Sequence, residues 1–148
     1  MKEFVVSQQV KTEKALTVLK KFLLVNQLPA EDLKLENSLL LTYYNTSDVL
    51  VGSGGLEFYG EKALLRSLAV SPEIRSQQHG KQIVKDLLHH ARMAGVKEIF
   101  LLTETAFFFF QKFGFAEVPR EEVPTEIKLS TEFSHVCPST ASVMKLTL

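Results

Sequence analysis

The chain predicts a mixed α/β sheet with one parallel crossover, and three observations carry that reading. Three β-prone segments follow one another at 38–44, 49–59 and 63–70, and Gly60 and Glu61 form a two-residue hairpin turn between the last two. A strongly amphipathic helical pattern then occupies 80–94. An apolar β-prone segment at 96–103 comes next, which makes the helix a crossover between parallel strands.

The elements are justified in order. Residues 4–10 are a short β-prone run. Thr12 caps a helix that begins near Glu13, and Ala15, Leu16, Leu19, Phe22 and Leu23 share one face of it. Asn26, Pro29 and the acidic stretch EDLKLEN interrupt that pattern. Asn45 to Asp48 read as a turn after the first meander strand. Gly52, Gly54 and Gly55 weaken or bulge the second. Ser71 and Pro72 stop the third, and the polar loop EIRSQQHG leads into the helix. Ile83, Val84, Leu87, Leu88 and Ala91 form the buried face of that helix, and Gly95 ends it. A short helix is expected at 106–113, a strand at 115–118, an irregular tail punctuated by Pro119, Pro124 and Pro138, and a closing strand at 142–148.

Bulk properties narrow the function classes. A chain of 148 residues with 45% hydrophobic and 23% charged residues fits one globular domain, 1–148. Acids and bases balance at 17 each, without the basic stripe that a nucleic-acid partner would need. No apolar run reaches membrane-spanning length, and the apolar stretch near the N-terminus is too short for a secretion signal. Cys137 is the only cysteine, which excludes an internal disulfide and suits a reducing compartment. The expectation is a cytoplasmic protein with neither a nucleic-acid nor a membrane partner.

The segment LRSLAVSPEIRSQQHGKQIV carries the chemistry. A strand feeding a loop and a helix N-terminus builds an anion site from amides that lack intrahelical acceptors. Arg75 and Lys81 flank it, and Gly80 admits a close backbone approach. Taken alone the unit is a weak signal, because most strand-loop-helix units only turn the chain.

The same residues resemble motif A of the GNAT acetyltransferases: a strand ending in L-x-V, a proline two residues later, then Arg or Gln, two residues, Gly, one residue, and Gly or Ala. Arg75 and Gly80 match the ends, and Gln78 replaces the middle glycine. TETAFFFFQKFGF resembles motif B of that family, with Ala106, Phe109, Lys112, Gly114 and Phe115 matching and Phe110 where many relatives carry tyrosine. Within that family the chain resembles the acetyltransferases found with arsenic-resistance genes and the acetyltransferase domain of N-acetylglutamate synthases. GLEFYG, LLRSLAV and the tail EFSHVCPSTASVM carry that likeness.

The resemblance implies a GNAT fold, a mixed sheet of about seven strands splayed between the fourth and fifth, with helices on both faces. It implies acetyl-CoA as cosubstrate and no metal. Leu68, Ala69 and Val70 would offer backbone to pantetheine. The amides of Arg75, Ser76, Gln77, Gln78, His79, Gly80 and Lys81 would hold the pyrophosphate, and Phe109 and Phe110 would line the thioester channel. The implied reaction is direct acetyl transfer to the amine of a small, acidic or neutral, amino compound, with the Leu68 or Ala69 amide stabilising the developing oxyanion. Glu57 is the candidate base, and Tyr59 is a candidate acid in place of the absent tyrosine. Arg66, Glu57, Thr103 and Glu104 are the candidate acceptor-binding residues.

Structural roles compete with these. Arg66 and Glu57 also suit a salt bridge across the hairpin, and Glu104 suits a helix start. His89 and His90 are adjacent, without metal-ligand spacing. The four residues Phe107 to Phe110 cannot all point inward, so at least one meets another element, a ligand or a second subunit, which leaves a homodimer open. Cys137 reads as a packed small residue. Gln78 and Phe110 together support an alternative, a non-catalytic acyl-CoA-binding sensor or interaction module on the same fold.

Overall fold

A computed structural model describes residues 6–74, 77–130, 133 and 140–148. The elements run β1 (Val6–Gln9), α1 (Glu13–Val25), β2 (Ser38–Tyr44), β3 (Leu50–Tyr59), β4 (Lys62–Val70), α2 (Gln77–Met93), β5 (Glu98–Thr103), α3 (Phe107–Gln111), β6 (Ala116–Glu117), α4 (Thr125–Lys128) and β7 (Ser142–Thr147). They form one seven-stranded sheet in the order β1-β2-β3-β4-β5-β7-β6. The pair β4–β5 is parallel and the others are antiparallel. This is the mixed sheet expected from the residues, with α2 as its crossover.

Local chemistry sets the boundaries. The Thr12 hydroxyl accepts from the Ala15 amide at 3.1 Å and starts α1. At its other end the Asn26 side chain donates to the Phe22 carbonyl at 2.8 Å, and Gln27 turns the chain with φ 64°. That turn directs Leu28 and Pro29 over the sheet. Gly60 takes φ +64° in the β3–β4 hairpin, a conformation that costs glycine little.

Burial divides the sheet into two faces. Leu39, Leu41, Leu56 and Leu65 pack against Ile83, Val84 and Leu87 of α2. Leu40, between two of these in β2, packs on the other face with Leu16, Leu19 and Leu23 of α1. Alternation along a strand places neighbours on opposite faces, so α1 and α2 cover opposite sides. A Cβ on Gly54 would lie 2.6 Å from Ile83 Cγ2 and 2.9 Å from Leu87 Cδ1, so a residue without a side chain lets α2 approach β3 this closely. A smaller cluster, with Leu64, Phe100, Val123, Ile127 and Val143, packs where the tail crosses the sheet.

Candidate active site

The parallel ladder between β4 and β5 is short. It pairs Lys62 with Glu98, Ala63 with Ile99, and Leu64 with Phe100. Beyond Leu64 and Phe100 the strands part, and the edges of 65–70 and 101–103 that would have faced each other open onto a groove. One half of it, about 730 Å³, is lined by Arg66, Ser67, Leu68, Thr103, Glu104 and Phe110, among others. The other half, about 670 Å³, is lined by Leu68, Ala69, Val70, Gly80, Phe108 and Phe109, among others. Leu68 and Ala106 wall both halves, as do Asn26 and Leu28 from the turn after α1.

A bulge in β4 bends the strand at the opening. Ser53 pairs with Ala69 and Gly55 with Arg66, so Ser67 and Leu68 together oppose Gly54 alone. The extra residue inverts the alternation downstream: Ala69 joins the α1 cluster and Val70 the α2 cluster. Ser67 takes φ 62°, a left-handed conformation costing a non-glycine residue about 1–2 kcal/mol. The Ser53 hydroxyl donates to the Ser67 carbonyl at 2.8 Å and holds the bulge. The Ser67 hydroxyl itself is buried without a hydrogen-bond partner among the described residues.

At the α2 end the structure corrects a boundary. The helix begins at Gln77, three residues before the expected Gly80. Gln77, Gln78, His79 and Gly80 are therefore the first turn of a helix, where amides lack intrahelical acceptors, and no longer a loop. Nothing in Gln78 or His79 prevents helix, so this polar run continues α2 towards its N-terminus. Gln78 is exposed, and His79 and Lys81 are half-buried. Arg75 and Ser76 lie outside the described residues, as do His135 and Cys137. A Cβ on Gly80 would lie 3.0 Å from Phe109 Cζ, so the missing side chain makes room for that ring.

The four phenylalanines separate as their number requires. Phe110 is buried and meets Phe115 edge-on, with centroids 5.7 Å apart. Phe109 stacks edge-on against Phe110 and Phe113. Phe108 is the one left outside, 74% exposed at the groove mouth.

A buried charge cluster closes the other end. The Arg66 side chain is fully buried and donates to three carboxylate oxygens. Nη1 reaches Asp32 Oδ2 at 2.5 Å and Glu57 Oε2 at 2.9 Å, and Nη2 reaches Asp32 Oδ1 at 2.8 Å. The Tyr59 hydroxyl donates to Glu57 Oε1 at 2.9 Å. Burial pushes the Asp32 carboxyl up, but the Arg66 hydrogen bonds and charge outweigh it and hold Asp32 below its ordinary range. Burial, then the Glu57 charge, pushes the Tyr59 hydroxyl up. Glu57 and Tyr59 line a separate cavity of about 260 Å³ with Asp32, Lys34, Glu126 and Ser130. The structure thus gathers Arg66, Leu68, Thr103 and Glu104 at the groove, and sets Glu57 and Tyr59 behind Arg66. Thr103, buried, accepts from the Ala106 amide at 3.0 Å, and exposed Glu104 accepts from the Thr140 hydroxyl at 3.3 Å.

Asp32 and Ser67 escaped the sequence reading. Asp32 had one signal: Leu33 and Leu35 alternate after it, and Leu33 is buried, so EDLKLEN was never wholly solvated. Ser67 had none, because the dihedral that distinguishes it is not written in LRSLAV. Among the described residues no group of three or more His, Cys, Asp or Glu could hold a metal, and no helix is long and apolar enough to cross a membrane.

The mixed sheet opens between its two parallel strands, with the N-terminus of α2 at one end of the opening. The chain belongs to the acetyltransferase (GNAT) family, whose pattern it matches over residues 12–115. It is 26% identical over 87 residues to an amino-acid acetyltransferase of Aeromonas salmonicida, an alignment covering 57% of this chain and 20% of that protein. The chain thus spans about a fifth of that relative's length. Among solved structures, N-acetylglutamate synthase from Neisseria gonorrhoeae, complexed with coenzyme A and N-acetyl-glutamate, superposes with a TM-score of 0.76 at 16% identity. That superposition covers 100% of this chain and 36% of that one. The Mycobacterium tuberculosis protein Rv2747, in complex with CoA, superposes with a TM-score of 0.73 at 24% identity, covering 97% and 99%. These superpositions show a shared fold.

Proposed function

We propose that the groove takes acetyl-CoA and that the chain transfers its acetyl group directly to the amine of a small amino compound. The observation that carries this is the open edge of β4: past Leu64 its backbone turns to a cleft instead of to β5. An extended, amide-bearing arm such as pantetheine satisfies such an edge as a strand would. The fit extends to the ends of the groove. The first turn of α2 offers amides and a positive dipole end to a pyrophosphate, with Arg75, Ser76 and Lys81 in the same stretch. Phe109 and Phe110 supply an apolar wall between that turn and Leu68.

Acetyl-CoA would supply the acetyl group as a thioester. In this reading the Leu68 or Ala69 amide faces the oxygen on which charge develops, and a fixed donor there lowers the barrier. Arg66, Thr103 and Glu104 bound the half of the groove left for the acceptor. Glu57, which lines the neighbouring cavity and not the groove, would serve as base only through an intervening water. Tyr59 holds Glu57 in place. Whether the acceptor is acidic turns on Arg66, whose guanidinium already faces Asp32 and Glu57. Because that side chain is fully buried, a carboxylate of the substrate would reach it only where the pairing with Asp32 and Glu57 opens.

The test is release of coenzyme A thiol from acetyl-CoA in the presence of neutral and acidic amines, amino acids among them. Turnover on at least one amine, with a mono-acetylated product, supports the proposal. Binding of acetyl-CoA without turnover on any amine favours the non-catalytic module instead.

A further inference from the structure

Ser67 combines three features at one position. Its backbone is left-handed, its hydroxyl is buried with no hydrogen-bond partner among the described residues, and it lines the larger half of the groove between Arg66 and Leu68. The first two features work against stability. Glycine would adopt the same φ without the Cβ penalty and would bury no unpaired hydroxyl. The bulge does not need the hydroxyl either, because the bond from Ser53 is made to the main-chain carbonyl of Ser67. Packing therefore gives no reason for a serine here. Strain and an unsatisfied polar group at one residue of a site point from the outlier towards a role in that site.

Its place says which role. Ser67 lines the half bounded by Arg66, Thr103 and Glu104, and does not line the half bounded by Val70, Gly80 and Phe109. It also directly precedes the bulge residue whose amide is offered to the developing oxyanion. In the transfer reading, a group at that point belongs to the acceptor half of the groove and not to the pyrophosphate half. The Ser67 hydroxyl is closed off from the groove as it stands, and rotation about its Cα–Cβ bond is the movement that would turn it to an acceptor; once there it accepts as readily as it donates.

We propose that the Ser67 hydroxyl contacts the acceptor, taking a hydrogen bond from its amine N–H and so aiming the nitrogen lone pair at the thioester carbon. The inference rests on the transfer reading above. Ser67 neither gains nor loses a proton in it. The new C–N bond forms, the C–S bond breaks, sulfur keeps the electron pair, and the amine proton passes to water or to Glu57. The contact is an orientation device, and it is made only with the acceptor.

Two variants test it, with the best amine from the thiol-release panel. Ser67→Gly removes the hydroxyl and relieves the backbone, while Ser67→Ala removes the hydroxyl and keeps the Cβ. The expected result is a Ser67→Gly protein that melts no lower than the wild type and binds acetyl-CoA within about twofold of it. Its kcat/KM for the amine falls about tenfold or more, the loss of one hydrogen bond to a polar substrate group. Ser67→Ala shows the same loss. Either a kcat/KM within about twofold of wild type in both variants, or a lowered melting temperature in Ser67→Gly, overturns the proposal. Wild-type protein without turnover overturns the transfer reading on which it rests, and is seen before any variant is made.

Discussion

Asp32 holds both terminal nitrogens of Arg66, Nη1 through Oδ2 at 2.5 Å and Nη2 through Oδ1 at 2.8 Å, across 34 residues of sequence. Asp32 belongs to the segment between α1 and β2, whose first residues, Asn26 and Leu28, wall both halves of the groove. Arg66 belongs to β4, the strand that opens. One bidentate ion pair therefore ties the groove's outer wall to its floor.

Replacing Asp32 by alanine leaves a fully buried guanidinium with Glu57 as its remaining carboxylate partner of the two. Stripping one member from a buried ion pair costs about 3–5 kcal/mol, and the surviving partner brings the expectation to roughly 2–3 kcal/mol. Urea unfolding checks it. The pH dependence has a definite sign. The folded Asp32 carboxyl lies below its ordinary range, so its contribution is present above about pH 4 and is lost as the pH falls further. The Asp32→Ala protein loses less stability than the wild type across that acid window.

Tyr43 and Tyr59 give the opposite prediction at alkaline pH. The Tyr43 hydroxyl donates to Asp86 Oδ2 at 2.5 Å, and burial followed by that carboxylate raises it. Burial and the Glu57 charge raise Tyr59. A raised folded value means stability that is whole below about pH 10 and declines as the pH climbs past it. Both hydroxyls are thereby held protonated in the folded protein beyond the pH at which an ordinary tyrosine ionises. Replacing both by phenylalanine therefore leaves the phenolate absorbance of the folded protein at about pH 11 unchanged, and flattens the alkaline loss of stability.

Phe110 is buried at the groove and brings no hydroxyl that could protonate a leaving group. A departing thiolate with a pKa near 8.5, as ordinary thiols have, leaves roughly as well unprotonated at neutral pH. The Phe110→Tyr variant should keep kcat within about twofold of the wild type. A rise of tenfold or more in steady-state assays would mean that protonation of the leaving group limits the wild-type enzyme.

Gly80 lies in the first turn of α2 under the Phe109 ring. A Gly80→Ala methyl meets that ring at 3.0 Å and requires it to yield by a few tenths of an ångström, so acetyl-CoA affinity falls only about fivefold or less. Gly80→Glu also brings a carboxylate to the proposed pyrophosphate site, and binding is lost while the circular dichroism spectrum stays folded. Equal affinity in wild type and Gly80→Glu would remove the first turn of α2 from the site.

Much of this architecture could be read from the chain because it rests on local periodicity. The apolar face of α2, the Thr12 cap, the Gly60 turn and the limits of β2 each follow from short patterns. The groove was legible only in part. Leu68, Val70, Gly80 and Phe109 come together through a crossover the sequence predicts. Asp32 meets Arg66 through a turn set by Gln27 at positive φ and by packing of Leu33, neither of which is a local preference of EDLKLEN. Arg66 was expected to face either an acceptor or Glu57, and it faces two carboxylates, one of them from an element read as an interruption. The Ser67 bulge depends on how β3 and β4 pair, and pairing is a property of two segments together.

Calorimetric titration of the purified protein with acetyl-CoA tests the central claim most directly. The account predicts micromolar binding at one site per chain, abolished by Gly80→Glu and unaffected by Ser67→Gly. A folded protein that takes up no acetyl-CoA would contradict it, because the open edge of β4 and the first turn of α2 would then have to serve some other ligand.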